Sequence, residues 1–269
     1  MDALTSAWPD AWPNTWSQLV AWGGWGEPLF LWFALGGTLV SMLSFTLFAA
    51  PMTWIAWKDP PALRRWRIQA ARAGGKPVVW PSIRHWTVNN ALQLGLTVAA
   101  WPMLRLAGVH LGPLPAWWVV VPQVVFFVYL DDFLYYWVHR GMHRPWLYRR
   151  VHGLHHRVPA PWAVTGHSMH PVEYLTTTAL MLVGPLALGV HVATLYVWIV
   201  VRQWEAAEGH CGYDLPWTPS KLLPGSDGAA HHDFHHSKRT GNYGGFLPVW
   251  DRVFGTLSKG YEDYRKGRR

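Results

Sequence analysis

The stretch WWVVVPQVVFFVYLDDFLYYWVHRGMH, residues 117–143, joins an apolar segment to a pair of histidines. Residues 117–138 are long and apolar enough to cross a bilayer as a helix. If the helix continues, His139 and His143 lie four residues apart on one face. Asp132 shares that face and could accept the second N–H of a ligand imidazole, or it could simply pair with an arginine. We therefore expect a span that delivers two imidazoles to one site.

Further apolar segments surround this span. Residues 29–57 and 88–109 are two more candidate spans, separated by a basic segment at 58–87. Because positively charged segments stay in the cytoplasm, the N-terminus and the turn at 107–116 should lie outside. Residues 174–204 are apolar, with glycine and proline near the middle, and we expect a helical hairpin that dips into the membrane and returns. The predicted fold is an all-α integral membrane protein, a bundle of about four transmembrane or re-entrant helices under a cytoplasmic histidine-rich cap with a dimetal site.

The composition supports a membrane protein and restricts its ligands. Hydrophobic residues make up 51% of the 269 residues and charged residues 14%, and there are 21 tryptophans. Soluble domains carry roughly 25% charged residues. The net charge of +8 comes from residues that flank apolar spans, which fits a membrane face and disfavours nucleic acid. One cysteine, Cys211, excludes a disulfide framework and a cysteine-rich metal site, so any metal must be held by nitrogen and oxygen.

Eight histidines fall into three clusters with the spacing of metal ligands. The clusters are HRGMH (His139 and His143), HGLHH (His152, His155 and His156) and HDFHH (His232, His235 and His236). One metal rarely needs more than four imidazoles, so eight indicate two ions. On a helix His152 and His155 share a face with His156 beside them, and adjacent histidines diverge by about 100° and can serve different metals. The alternative is a histidine-rich solvated surface, which the repeated spacing disfavours.

Other polar residues near these clusters are weaker candidates. His170 in SMHPVEY and His210 in EGHCGYD are possible further ligands, although a capping or interfacial role would also explain either one. Glu173, Asp214 and Asn242 are candidates for the layer of residues that orients the ligands. The remaining histidines and one acid are assigned to supporting or packing positions: His231 as an outward neighbour, Asp233 beside the ligands or on the surface, His167 as a neighbour, and His85, His110 and His191 as packing or interfacial residues.

An all-imidazole site for two metals suits iron with dioxygen, although imidazole also binds zinc and copper. The sequence holds no glycine-rich dinucleotide fingerprint, P-loop or serine nucleophile elbow, so electrons would come from a partner. Two alternatives stay open. One is a zinc-dependent membrane hydrolase with Glu173 as general base, and the other is a metal-binding membrane protein without catalysis.

The order of motifs resembles the fatty acid hydroxylase superfamily, and most closely its sterol desaturase and methylsterol oxidase branch. The motifs are HRGMH, HGLHH, SMHPVEY, HCGYD, HHDFHH and NYGGFLPVWDRVFGT, and the resemblance covers roughly residues 125–257. Fatty acid 2-hydroxylases of this superfamily carry two spaced histidines after a Tyr-Asp pair. Here only Cys211-Gly-Tyr-Asp follows His210, which favours the sterol-type branch.

The resemblance implies a membrane diiron oxygenase that uses O2 to hydroxylate or desaturate a lipid C–H bond. It implies cytochrome b5 or a ferredoxin with its reductase as electron donor, and residues of the eight-histidine set as ligands. We expect residues 1–116 to form membrane spans and a basic loop, and 117–269 an integrated catalytic domain. The expected location is a bacterial inner membrane, or the endoplasmic reticulum in a eukaryote, with the site on the cytoplasmic side. Candidate pocket and bracing residues are Trp162, Tyr174 and Trp204 for the pocket, and Asn242, Tyr243, Trp250 and Asp251 for the third cluster.

Overall fold

The computed structural model describes residues 15–69 and 76–267, and in these ranges the protein is helical, with two isolated β-bridges and no sheet. Short 3-10 turns connect several of the helices. The helices are α1 (Trp16–Gly23), α2 (Pro28–Lys58), α3 (Val79–Leu104), α4 (Trp117–Met142), α5 (Pro145–Arg150), α6 (Pro171–Leu188), α7 (Val192–Gly209), α8 (Ala229–Lys238), α9 (Pro248–Val253) and α10 (Tyr261–Lys266).

Three helices in the described ranges are long and apolar enough to cross a membrane: α2, α4 and α6. Two of them cover the predicted spans 29–57 and 117–138. Helix α3, which begins nine residues before the predicted span 88–109, is not among the three, and it carries the buried polar residues Asn89 and Asn90. The all-helical class is therefore confirmed, whereas the number of spans and the cytoplasmic position of the cap stay predictions.

Helices α6 and α7 form the helical hairpin expected within 174–204. Gly189 ends α6 with a φ of 56°, a left-handed conformation that glycine adopts without steric cost. A Cβ at Gly189 would also lie 3.1 Å from the carbonyl oxygen of Gly108, so the turn packs tightly against the end of α3. The Trp198 indole donates to the carbonyl of Met181 across the hairpin at 2.8 Å. The start of α6 and the end of α7 thus lie at the same end of the bundle.

The core lies between the long helices, and their outer faces remain apolar. Trp101, Phe127 and Trp198 are buried where α3, α4 and α7 meet, and α2 packs along α7. Leu43 and Leu47 on α2 are 55% and 70% exposed, an exposure that suits contact with lipid rather than water.

The segments after α4 fold together at one end of the bundle. Helices α5, α8, α9 and α10 join the 3-10 turns His152–Arg157 and Ala163–Thr165 to form a cap. Asp59, which ends α2, bonds to Arg64, Arg67 and the Tyr213 hydroxyl, and thereby ties the start of the basic segment to this cap. The cap holds the clustered histidines.

Candidate metal centre

The cap and the adjoining helix ends bring nine histidines into two groups. In each group one nitrogen from every ring lies within 4.8 Å of all the others. The first group comes from α4, the 3-10 turn at 152–157 and α8, and contains His139, His143, His152, His156 and His235. The second comes from the same turn, the end of α7 and α8, and contains His155, His210, His232 and His236.

Neighbouring histidines separate between the two groups, as the sequence predicted. His155 and His156 belong to different groups, and so do His235 and His236. Residues four apart stay together, as His139 and His143 do. The predicted shared face of His152 and His155 differs from the structure, because these two residues join different groups across a 3-10 turn. The local turn therefore changes which histidines meet.

Four of these rings have a fixed proton position, because their outer nitrogens contact oxygen atoms that can only accept. The Nδ1 donors and their acceptors are His139 to Tyr243 O (2.8 Å), His152 to the Glu173 carboxylate (2.7 Å), His235 to Gly241 O (2.7 Å) and His210 to Ala206 O (2.8 Å). A neutral imidazole carries one proton, so the Nε2 atom of each of these rings is an unprotonated acceptor.

Burial keeps rings in both groups neutral. It lowers the pKa of His235 to about 3, and it lowers the pKa values of His155, His232 and His236 well below their usual range, with neighbouring imidazoles adding to the effect. Protons therefore do not compete for the inward lone pairs at neutral pH. The ligand form of histidine is the neutral ring, so the protein presents these imidazoles ready to bind a metal.

The converging lone pairs would repel one another without a cation between them. His139 Nε2 and His152 Nε2 are 3.0 Å apart, although neither can donate to the other. Nε2–Nε2 separations of 2.9–3.2 Å recur through both groups. Two imidazole nitrogens bound at right angles to one metal at about 2.1 Å would be about 3.0 Å apart. Both groups therefore fit a metal ion.

Glu173 lies where a ligand-orienting residue was expected, whereas Asp132 does not. The Asp132 carboxylate accepts the backbone N–H of Phe246 at 2.8 Å, and His139 uses the carbonyl of Tyr243 instead. The loop at 241–247 lies between Asp132 and the histidines. Its Gly245 approaches the carboxylate so closely that a Cβ there would lie 2.9 Å from it. Asp132 thus fixes the loop that orients His139.

Two candidates lie outside the groups. The Nδ1 atom of His170 accepts the N–H of Val172 at 3.2 Å and caps α6, which fits its position just before Pro171. Asp214 pairs with Lys221 and Arg265 at 2.6 and 2.7 Å, away from the imidazoles. The structure thus places His170, expected as a ligand, and Asp214, expected as an orienting residue, outside both groups.

Asn242 and Asp251 brace the loop that carries two of the carbonyl acceptors. Asn242 has a φ of 53°, donates to the carbonyl of His231 and accepts the N–H of Ser258. Asp251 accepts the N–H groups of Tyr243 and Gly244 at 2.8 Å each. His231 lies outside both groups, as expected. It does not face outward, however, because its side chain is fully buried with Nε2 3.4 Å from the Asp251 carboxylate. Buried Asp233 bonds to Gln69, and His167 bonds to Gln203.

Comparison with known proteins identifies the family. Residues 124–256 match the family described as fatty acid hydroxylase. Methylsterol monooxygenase 2-2 of Arabidopsis thaliana is 38% identical over 222 residues, which are 80% of this chain and 82% of that protein. The chain belongs to the fatty acid hydroxylase family. The predicted membership and its sterol-type branch are thereby confirmed, and the chain is an oxidoreductase with lipid-modifying relatives.

Two more relatives represent the two kinds of protein that the chain resembles. Methylsterol monooxygenase 2-1 of Arabidopsis thaliana is 35% identical over 234 residues, 80% of this chain and 84% of that protein. Very-long-chain aldehyde decarbonylase GL1-8 of Oryza sativa subsp. indica is 41% identical over 179 residues, 65% of each chain. No solved structure matches the chain significantly.

A cavity lined mostly by buried residues adjoins the second histidine group. His210 and His232 line it together with Tyr135, His167 and Arg202. A second cavity, towards α2 and α3, shares His167 and Arg202 with the first. No motif or spacing singled out Arg202, which forms ion pairs of 2.9 Å with Asp131 and with Glu205.

Of the three pocket candidates, Tyr174 lines the second cavity. Trp162 is buried in the core, and Trp204 packs edge-on against Phe48 and donates to Glu208. Two of the three predicted pocket residues therefore have packing roles.

Proposed function

We propose that the chain is a membrane-bound diiron oxygenase that uses O2 to oxidise an unactivated C–H bond of a sterol-like lipid. One observation carries the proposal: nine inward imidazole nitrogens form two adjacent groups with the spacing of metal ligands. The family, the membrane-capable helices and the cavity beside the second group support it. We propose these nine histidines, with His210 included and His170 excluded, as the ligand set.

Iron is the metal that this setting favours. Imidazole binds iron, zinc and copper alike, so the ligands alone do not choose among them. A zinc hydrolase would need a free general base, and Glu173 is instead held by His152 at 2.7 Å with almost no exposure. The oxidoreductase family disfavours both a hydrolase and a protein that only stores metal.

Two iron ions in these groups would supply O2 activation and the oxidising power for C–H attack. The residues of the chain supply binding, orientation and exclusion of water. Glu173 and the carbonyls of Tyr243 and Gly241 hold protons on the outer nitrogens, which keeps the inner lone pairs directed at the metals. Buried Tyr135 and Met169 line the cavity beside the second group and shield its reacting space from bulk solvent.

The names of the relatives support a substrate class. Two are methylsterol monooxygenases that each match 80% of this chain, and another is a very-long-chain aldehyde decarbonylase. We propose a polycyclic, sterol-like lipid as substrate and hydroxylation as the first reaction. Desaturation of the same lipid, or attack on an acyl chain, would use the same ligands.

Electrons would arrive at the most exposed part of the first group. His143 is the only partly exposed member among the nine histidines, and it lines an open depression with Trp137, Arg140 and Arg144. From 133 to 172 the sequence contains five arginines and no acid. Opposite charge steers and orients such encounters, so we propose that an acidic one-electron carrier, cytochrome b5 or a ferredoxin with its reductase, docks here.

The basic segments support one orientation in the membrane. We propose that the cap and the segment 58–87 lie in the cytoplasm, in a bacterial inner membrane or, in a eukaryote, the endoplasmic reticulum. Residues 1–116 would supply membrane helices and a basic loop, and 117–269 the catalytic part, as one integrated unit. The packing of α2 along α7 supports that integration.

The test compares lipid extracts and metal content of cells that express the wild type, His235→Ala or His170→Ala. His235→Ala should lose metal and product, while His170→Ala, outside both groups, should retain both. High-resolution mass spectrometry should show a wild-type lipid with one added oxygen, or with two hydrogens lost after desaturation. Zinc alone in the purified wild type, or product formation by His235→Ala, would overturn the proposal.

A further inference from the structure

A large apolar groove lies between α2 and α3, on the cap side of the bundle. Its volume is about 540 Å³, within the roughly 300–1,000 Å³ typical of small-molecule sites. Trp54, Trp57 and Trp86 line it, and the 3-10 turn at 163–165 closes its floor through Val164. Trp54 is 58% exposed and Trp57 49%, so the groove is open to the surroundings of the bundle.

One positive charge lies at this groove. In the described ranges, Lys76 is the only charged residue that lines it, and the other lining residues are apolar or carry a hydroxyl or indole. An apolar slot with one cation suits a molecule with a long apolar body and one polar or anionic group. Because α2 is a candidate span and Ala50 and Trp54 are on its exposed side, membrane lipid is the medium from which such a molecule would come.

Phe45 and His167 lie between the groove and the cavities near the histidines. Phe45 lines the groove and packs on Trp86 there, with ring centroids 5.7 Å apart. On its other side the Phe45 ring lies 4.3 Å from the ring of His167. His167 in turn lines both inner cavities, one of which reaches His210 and His232. The groove and the second histidine group therefore lie on one path, interrupted at Phe45 and His167.

We propose that this groove is the site where the lipid substrate leaves the membrane and first binds. The apolar body of the lipid lies between α2 and α3 with its polar group at Lys76, and rotation of Phe45 away from His167 opens the path inwards. The inference rests on the proposed function for the identity of the occupant. It differs from that function because it concerns binding and access, which can be measured without turnover.

The experiment uses the full metal-loaded chain in phosphatidylcholine nanodiscs with two photoreactive probes, a diazirine sterol and a diazirine stearic acid. Saturable labelling of peptides from 45–57 and 76–86 by at least one probe is expected. Ala50→Trp fills the groove from an exposed position, and Leu47→Trp is the matched control on the lipid-facing side of α2. Because excluding even two methylene groups from an apolar site weakens binding about tenfold, Ala50→Trp should reduce saturable labelling about tenfold and Leu47→Trp should not.

A second variant tests the path. Phe45→Leu keeps an apolar side chain but removes the ring that packs on His167, so labelling should extend to peptides that line the inner cavities, such as those with Met169 or Tyr174. No saturable labelling of the groove with either probe, or equal labelling of Ala50→Trp and wild type, would overturn the proposal. Groove labelling of a chain that forms no oxidised lipid when it is expressed in cells would retain this binding site and reject the oxygenase. Oxidised lipid without groove labelling would retain the oxygenase and reject this binding site.

Discussion

The Glu173–His152 contact predicts how strongly the first histidine group holds its metal. Glu173 accepts the Nδ1 proton of His152 at 2.7 Å, and both side chains are at most 2% exposed. Glu173→Gln keeps an oxygen acceptor of similar shape but removes the negative charge. Hydrogen bonds to charged groups contribute about 1.5–3 kcal/mol and neutral ones about 0.5–1.5 kcal/mol. The difference of about 1–1.5 kcal/mol corresponds to a loss of metal affinity of about five- to thirteenfold.

Glu173→Leu should have a larger effect, because it leaves the His152 N–H buried without an acceptor. Removing such an outer partner typically weakens metal binding about 10–100-fold, and we expect the upper part of that range. The control is Glu262→Gln, which removes an exposed carboxylate that pairs with Arg252 on α9, away from both groups.

The assay is competition between the purified, detergent-solubilised chain and a chelator, with bound metal counted by plasma mass spectrometry. The expected order of affinity is wild type and Glu262→Gln, then Glu173→Gln, then Glu173→Leu. Equal affinity of all four proteins would refute the view that Glu173 makes His152 a stronger ligand. Glu173→Leu could lose metal because the protein unfolds. The Glu173→Gln measurement distinguishes that outcome from a weaker His152 ligand.

Three further expectations concern electron supply, stability and pH. Arg144→Glu, beside His143, should slow turnover with an acidic protein donor and leave turnover with a small chemical reductant unchanged; equal loss with both would contradict the docking surface. Arg202→Met leaves the Asp131 carboxylate buried with no cation and should destabilise the protein by about 3 kcal/mol, seen as a lower thermal midpoint; an unchanged midpoint would show that the pair does not hold α4 to α7. An unfolded histidine binds a proton below about pH 6.5, whereas folded His235 does so only near pH 3. The free energy of unfolding of the metal-free protein should therefore fall by about 2 kcal/mol for each such histidine between pH 6.5 and 5. A thermal midpoint that stays constant over that range would argue against this expectation.

The grouping of the histidines was predictable wherever it follows from helix geometry. His139 and His143 share a group because α4 continues beyond its apolar part, and His235 and His236 separate because neighbours on α8 point in different directions. These are local properties, and the spacing of residues is enough to state them. The membership of the family followed from the order of such motifs along the chain.

The hydrogen-bond partners of the outer histidine nitrogens were not predictable in the same way. Asp132 shares a helix face with His139, but the loop at 241–247 comes between them, more than 100 residues further along the chain. The actual partner, the carbonyl of Tyr243, is a backbone group, and every residue has one. His170 has the right side chain and neighbourhood for a ligand, yet its place before Pro171 makes it a helix cap. Long-range packing decided each of these cases.

The two histidine groups are structurally coupled, because the same chain segments contribute residues to both. The turn at 152–157 supplies His155 to one group and His156 to the other, and α8 supplies both groups as well, so a shift of either segment displaces ligands in both. The first group also includes residues at the end of α4, and through Glu173 it reaches α6; the second includes His210 at the end of α7. Metal binding would therefore join three helices of the bundle at one end, and its free energy would contribute directly to the stability of the bundle. The same connection works in the other direction, because the packing of the helices in the membrane sets the distances between the imidazoles in the cap.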